Sequence, residues 1–207
     1  MNFGLLKANN IYIISLNMKK GLLIILSGPS GVGKGTVRRY IMDNFNIPLT
    51  YSISMTTRPK RDKEEEGVDY YFVSQEEFQR NIDADNFLEW EEFVGNRYGT
   101  PKDKVEELRN KGKHVVLEIE VMGAGEVMKK INDDRMISFF IMPPNIEALE
   151  NRIRRRKTES EDVIQARLQK GIKEMSMTSQ YDYVVLNDDI ARVSQEIVDL
   201  IKKKLKQ

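Results

Sequence analysis

The chain contains no cysteine, a single histidine (His114), a single tryptophan (Trp90) and 6 prolines in 207 residues. Without cysteine there is no disulfide scaffold and no thiolate metal site, a composition that suits a reducing compartment. Long apolar stretches are also missing. The longest wholly apolar run, Leu22–Leu26, falls far short of the roughly 20 residues needed to cross a bilayer. Nor does one sign of charge dominate. The 33 Lys and Arg face 32 Asp and Glu, a formal net charge of +1, which excludes strong non-specific attraction to nucleic acid or a membrane surface. What is present, 40% hydrophobic residues in a chain of this length, is enough for one compact core with room for inserted subdomains. The expectation is a soluble cytoplasmic protein with no nucleic-acid or membrane partner.

Residues 1–17 read as an extension outside the core fold. Their apolar stretch Ile11–Leu16 is broken by Tyr12 and Ser15, and no small-residue cleavage site follows, so the segment makes a poor signal peptide. An extra edge strand over Ile11–Leu16 is the alternative. Gly21–Ser27 is a continuous apolar run, the pattern of a strand buried on both faces of a parallel sheet. Comparable runs recur at Val115–Ile119, Ile137–Met142 and Tyr183–Leu186. Helical patterns cover Thr36–Asn44, Gly123–Ile131, Ile146–Arg156, Ser160–Met175 and Ile190–Leu205. Together they predict an α/β fold, an open parallel sheet flanked by helices, with a core made of 18–53, 104–144 and 171–207. The stretch 54–103 differs. Short alternating or aromatic segments (Tyr51–Met55, Asp69–Val73, Phe87–Val94) and turns at Arg58-Pro59 and Gly95-Asn96 predict a small mixed α+β insertion. The highly charged 145–170 reads as a helical lid.

Gly28-Pro29-Ser30-Gly31-Val32-Gly33-Lys34-Gly35-Thr36 fits G-x-x-x-x-G-K directly between a buried strand and a helix. Glycines at 28, 31 and 33 let successive N–H groups curl around phosphate oxygens, which Cβ atoms would obstruct. The helix start adds partial positive charge, and Lys34 is placed to reach the β- and γ-phosphates. The usual Ser or Thr after the lysine is Gly35 here, with the hydroxyl moved to Thr36. One position along a helix is a rotation of about 100°, so any Mg²⁺ is expected to be held mainly by phosphates and water, with Thr36 a possible direct ligand.

A phosphate loop serves GTPases, ATPase motors and small-molecule kinases alike. A guanine-reading N-K-x-D is lacking, since Asn110-Lys-Gly-Lys113 has no aspartate, and Glu120-Val-Met-Gly123 carries the wrong acid for a D-x-x-G loop. Further motifs then carry a resemblance: Ser54-Met-Thr-Thr-Arg58-Pro-Lys-Arg61, Gly67-Val-Asp-Tyr70-Tyr-Phe72, Phe87-Leu-Glu89-Trp90, Gly95-Asn-Arg-Tyr98-Gly99-Thr100, Glu118-Ile-Glu120, Ile141-Met-Pro-Pro144, Arg152…Arg156, Glu161…Arg167 and Asn187-Asp-Asp189. In this order and spacing, from Lys19 to Lys206, the chain resembles the guanylate kinase family.

The resemblance implies transfer of a phosphoryl group from ATP to GMP with Mg²⁺, dGMP being a further expected acceptor, in a monomer or homodimer. It implies ATP binding by residues 28–36, Arg152, Arg156 and Asn187, and GMP binding by Ser54, Arg58, Arg61, Tyr70, Glu89, Tyr98, Thr100, Glu118 and Glu120. Lys34, Arg58, Arg152 and Arg167 are the implied catalytic cations. The chemistry is coherent. Guanine presents N–H donors that suit the Glu89 carboxylate and acceptors that suit hydroxyls such as Ser54 and Thr100, and adenine would leave that carboxylate facing acceptors. Arginine forks suit phosphate oxygens. Arg152 and Arg156, four apart, share a helix face, while Arg154, Arg155 and Lys157 read as solvated. His114 opens an apolar strand and reads as structural. Three positions depart from the family pattern: Glu120 stands where aspartate is usual, Met122 where glutamine is frequent, and Lys157 where a hinge glycine is normal. Two rivals remain at this stage. One is a catalytically silent, protein-binding relative, which would have no use for Lys34 and Arg152. The other is a kinase of another nucleoside monophosphate, for which the adenylate-type D-G-F-P segment is missing.

Overall fold

A computed structural model describes residues 19–93, 95–131, 133–155 and 160–207. The expectations for 1–17, Arg156 and Lys157 lie outside these residues. Strand β1 (Leu23–Ser27) is buried at every position, as the continuous apolar run requires. It sits centrally in a five-stranded parallel sheet with β2 (Leu49–Tyr51), β7 (His114–Glu118), β8 (Met136–Met142) and β9 (Tyr183–Leu186), in the order β2-β7-β1-β8-β9. Register is fixed by pairs such as Leu23 with Val115 and with Met136, and Phe139 with Tyr183.

Strand periodicity divides β1 between two cores. Leu22, Ile24 and Leu26 pack with Val37 and Ile41 of α1 (Lys34–Asn44), Leu149 and Ile153 of α5 (Ile146–Arg154), Ile164 and Leu168 of α6 (Glu161–Glu174), and Val193, Ile197 and Ile201 of α7 (Ile190–Leu205). Leu23 and Ile25 face the opposite way, toward Val105 of α3 (Lys102–Asn110) and Val121, Ala124 and Val127 of α4 (Val121–Lys130). These are the two covered faces expected of a parallel sheet. His114 is structural, its Nδ1 accepting from Leu22 N at 3.1 Å. Arg109, fully buried at the end of α3, donates to Gly21 O at 3.0 Å and pairs with Asp133 at 2.7 Å, fastening that helix to the strand entering the core.

Between β2 and α3 lies a second, four-stranded sheet of β3 (Met55–Thr56), β4 (Tyr71–Phe72), β5 (Phe87–Phe93) and β6 (Asn96–Pro101), in the order β4-β3-β6-β5. Helix α2 (Gln75–Asp83) covers it through Phe78, which stacks on Phe87 with ring centroids 4.5 Å apart. The expected segment Tyr51–Met55 is split: Leu49–Tyr51 joins the large sheet, and Met55–Thr56 joins the small one. Helices α2 and α3 were not among the sequence expectations. Both are short and carry few apolar residues, although Ser74 caps α2 by accepting from Glu77 N, the signature of a capping box. Helix α6 continues past 170 to Glu174.

Candidate active site

The loop from Gly28 to Gly33 leaves the buried end of β1 and turns into α1. Gly28, Gly31 and Gly33 all have positive φ, at 145°, 87° and 101°. A Cβ on Gly28 would stand 2.3 Å from Ile141 O, and one on Gly33 would stand 3.0 Å from Asn187 Nδ2, so conformation and space both demand glycine there. Lys34, 9% exposed, folds back over the loop, donating to Gly28 O at 2.7 Å and pairing with Glu120 at 3.1 Å.

Three polar side chains brace the loop from outside. Arg152 donates to Val32 O and to Asn187 O, each at 2.8 Å, Asn187 Nδ2 donates to Val32 O at 2.8 Å, and Arg167 donates to Ser30 Oγ at 2.7 Å. Burial holds the Arg152 pKa below its usual value. A cleft of about 530 Å³ opens beside them, lined by Gly31, Val32, Gly33, Thr36, Arg152, Arg155, Asn187 and Asp188–Ile190. Arg154 keeps 37% of its side chain exposed and makes a two-pronged ion pair with Glu161 at 2.6 and 2.7 Å that joins α5 to α6.

A second cleft of about 220 Å³ is lined by Lys34, Tyr51, Ser54, Tyr70, Glu89, Glu91, Tyr98, Gly99 and Glu118–Glu120. Glu89 is 8% exposed and accepts from Thr100 Oγ1 at 2.5 Å; burial pushes its carboxyl up to about 7. Its carboxylate lies against the start of α4, where a Cβ on Gly123 would come within 2.8 Å of it. Thr100 therefore spends its proton on Glu89 in this structure.

Arg58 lies near the rings of Tyr70 and Phe72, 5.6 and 5.8 Å from their centroids, and pairs with Glu64 at 2.6 Å. That hydrogen bond holds the Arg58 pKa above its usual value and the Glu64 carboxyl below its own. Arg61 contributes its backbone N–H to the same Glu64 at 2.9 Å, and its side chain is exposed. Glu118 is held by Arg38 at 2.9 Å, and the Arg38 guanidinium also covers the Tyr51 ring at 3.9 Å. Burial, and next the Glu118 charge, push the Tyr51 hydroxyl up to about 12. Met122 is 64% exposed.

Sequence reasoning named neither Glu91 nor Arg38 nor Tyr51. Glu91 was recoverable, because it lies two residues from Glu89 on one strand and so shares its face. The placing of Arg38 and Tyr51 against Glu118 depends on how β2 pairs with β7, which no local pattern carries.

The guanylate kinase family profile matches residues 20–204. The chain belongs to the guanylate kinase family. It is 49% identical to the guanylate kinase of Mesoplasma florum over 182 residues, covering 88% of this chain and 61% of that one. It is likewise 49% identical to the Enterococcus faecalis guanylate kinase over 183 residues, covering 88% and 89%. The chain thus spans about three-fifths of the length of the Mesoplasma relative and most of the Enterococcus one. Among solved structures, the guanylate kinase of Anaplasma phagocytophilum superposes with a TM-score of 0.69 at 34% identity, covering 90% of this chain and 87% of that one. Among the described residues, no helix is long and apolar enough to cross a membrane.

Proposed function

We propose that this guanylate kinase family member transfers the γ-phosphoryl group of ATP to GMP, giving ADP and GDP. One observation carries the reading: two clefts adjoin a single phosphate loop, one lined by Gly31–Gly33 and Thr36, the other by Lys34 together with the base-reading carboxylate Glu89. ATP would lie along the loop from the Asn187 side, and GMP would enter the second cleft phosphate-first. In this reading 18–53, 104–144 and 171–207 hold ATP, 54–103 bind GMP, and 145–170 close over the reaction in a cytoplasmic enzyme.

In the transfer, an oxygen of the GMP phosphate bonds to the γ-phosphorus while the bond to the β–γ bridging oxygen breaks. No general base is needed, because that phosphate is mostly ionised near neutral pH. The obstacle is charge: about four negative charges on ATP meet up to two on GMP. Lys34, Arg58, Arg61, Arg152 and Arg167 supply the opposing charge, which favours bringing the two phosphates together. Glu89, ionised, accepts from the guanine N1–H and N2–H₂ edge, with Ser54 and Thr100 beside it.

Mg²⁺ belongs to the same reading. The ion would be held mainly by phosphate oxygens and water. Thr36 lines the ATP-side cleft, and Glu118 Oε1 stands 3.0 Å from where a Gly35 Cβ would lie, so these are the side chains placed to support it. The ion would neutralise part of the phosphate charge.

The deciding experiment is a coupled ADP-release assay with GMP, dGMP, AMP, CMP and UMP offered in turn. Turnover confined to the guanine nucleotides is expected, and faster turnover with AMP, CMP or UMP overturns the reading.

A further inference from the structure

Behind the phosphate loop lies a row of charges that the proposed transfer does not use. Glu174, on the last turn of α6, is 3% exposed, and neither of its carboxylate oxygens has a hydrogen-bond partner. Lys170, one turn earlier on the same helix, brings its Nζ to 3.6 Å from Glu174 Oε1 and 3.6 Å from Glu120 Oε2. The other oxygen of Glu120 holds Lys34 at 3.1 Å. From the phosphate loop to the lid-side helix the charges therefore alternate: Lys34, Glu120, Lys170, Glu174. Glu91 also feels Glu120, Lys170 and Lys34, so three carboxylates share two ammonium groups.

The ionisation of Lys170 reflects these contacts. Burial would lower the Lys170 ammonium, but Glu120, Glu174 and Glu91 outweigh it and hold it above the usual range.

This row bears on nucleotide binding. Lys34 cannot serve both Glu120 and an incoming phosphate at full strength. Once it turns to the phosphate, Glu120 is left as an anion beside another anion, unless a second cation stays with it. Lys170 is itself half exposed, yet its ammonium stands at 3.6 Å from two carboxylates at once, and one of these, Glu174, is buried. We infer that Lys170, anchored by Glu174, is a positioning residue that takes over the charge of Glu120 and so frees Lys34 for the nucleotide's phosphates. The inference rests on the proposed function only for the place where the phosphates lie.

The test is calorimetric titration of ATP, without GMP, into wild type, Lys170→Met, Lys170→Arg, Glu120→Gln and the Glu120→Gln/Lys170→Met pair. Lys170→Met is expected to weaken ATP binding about three- to fivefold, on the scale of one partly screened ion pair. Lys170→Arg should keep affinity within about twofold, since the cation is retained. In the Glu120→Gln background the Lys170 change should cost little further, because nothing then competes for Lys34. Unchanged affinity in Lys170→Met overturns the inference. So does an equal loss with and without the Glu120 charge, which would mean that Lys170 acts on the nucleotide directly. Should Lys170→Met fail to fold, Lys170→Gln carries the same test. A wild type whose ATP affinity depends on Lys170 but which phosphorylates no GMP removes the proposed function alone; the converse result removes this inference alone.

Discussion

The five-stranded sheet is parallel, covered by helices on both faces, and buried at every residue of its central strand. The four-stranded sheet rests on a cluster in which Met55, Phe78 and Phe87 are the buried side chains among the described residues. The first presents a backbone loop to its ligand, and the second presents side chains. Phosphate binding by main-chain N–H groups needs a loop that does not yield, and a deep core beneath β1 supplies that. The base reading proposed for Glu89 needs a carboxylate at one height above Gly123, which a thin sheet can hold if one strand is tied down. Lys130 does this by donating to Phe87 O at 3.0 Å. A rigid half and a lightly built half therefore meet at Lys34.

Substitutions can break or sharpen this contrast. Lys34→Ala should lower kcat by about a thousandfold, since a fixed charge at the transferred group is lost. Thermal denaturation should show little change, because Glu120 keeps Lys170. Near-normal turnover would remove the loop from the chemistry. Glu89→Gln should raise KM for GMP by roughly 10- to 100-fold, the value of charged hydrogen bonds to a buried partner, with KM for ATP within about twofold. Equal losses for both nucleotides would erase the distinction between the halves.

The pH dependence sharpens the same point. With the Glu89 carboxyl raised to about 7 by burial, the free protein holds that proton below about pH 7 and releases it above. GMP affinity, which needs the ionised form, should be full at alkaline pH and fall as pH drops through 7. The fall should approach tenfold one unit below, measured by titration of GMP into wild type, with a flatter profile in Glu89→Gln. Protein stability should run the other way, declining as pH rises from 4.5 toward 7, because the folded state binds the proton that the unfolded chain gives up.

The smallest kinetic effect is expected from Phe78→Ala. It should remove about 3 kcal/mol of packing and raise KM for GMP several-fold while ATP binding persists. Phe139→Ala, in the large sheet, should impair both nucleotides and lower Tm for the whole protein. Matching behaviour of the two variants would mean that the halves unfold as one.

Much of the large sheet was legible because its strands are apolar without interruption and its helices carry a clear period. The phosphate loop was legible for the same local reason, since three glycines, a lysine and the flanking pattern lie within a few residues. The small sheet was read only in outline. The register that sends Leu49–Tyr51 to one sheet and Met55–Thr56 to the other depends on partners far along the chain. The ion pairs of Arg154 were legible only in part, since Glu150 lies four residues away on the same helix but Glu161 lies on the next one.

Sequence by itself determined the alternation of strands and helices, the loop that must curl around phosphate, and the carboxylate and cations suited to a guanine nucleotide. These follow from residue types at short spacing, where geometry is set by the backbone. Only the tertiary structure decided that Lys34 rests on Glu120, that Thr100 donates to Glu89, and that Lys170 and Glu174 of a distant helix complete the charge row. The pairings that converge on Glu120 come from distant parts of the chain, with Lys34 lying 86 positions away, and burial sets their strength, so no local pattern can announce them.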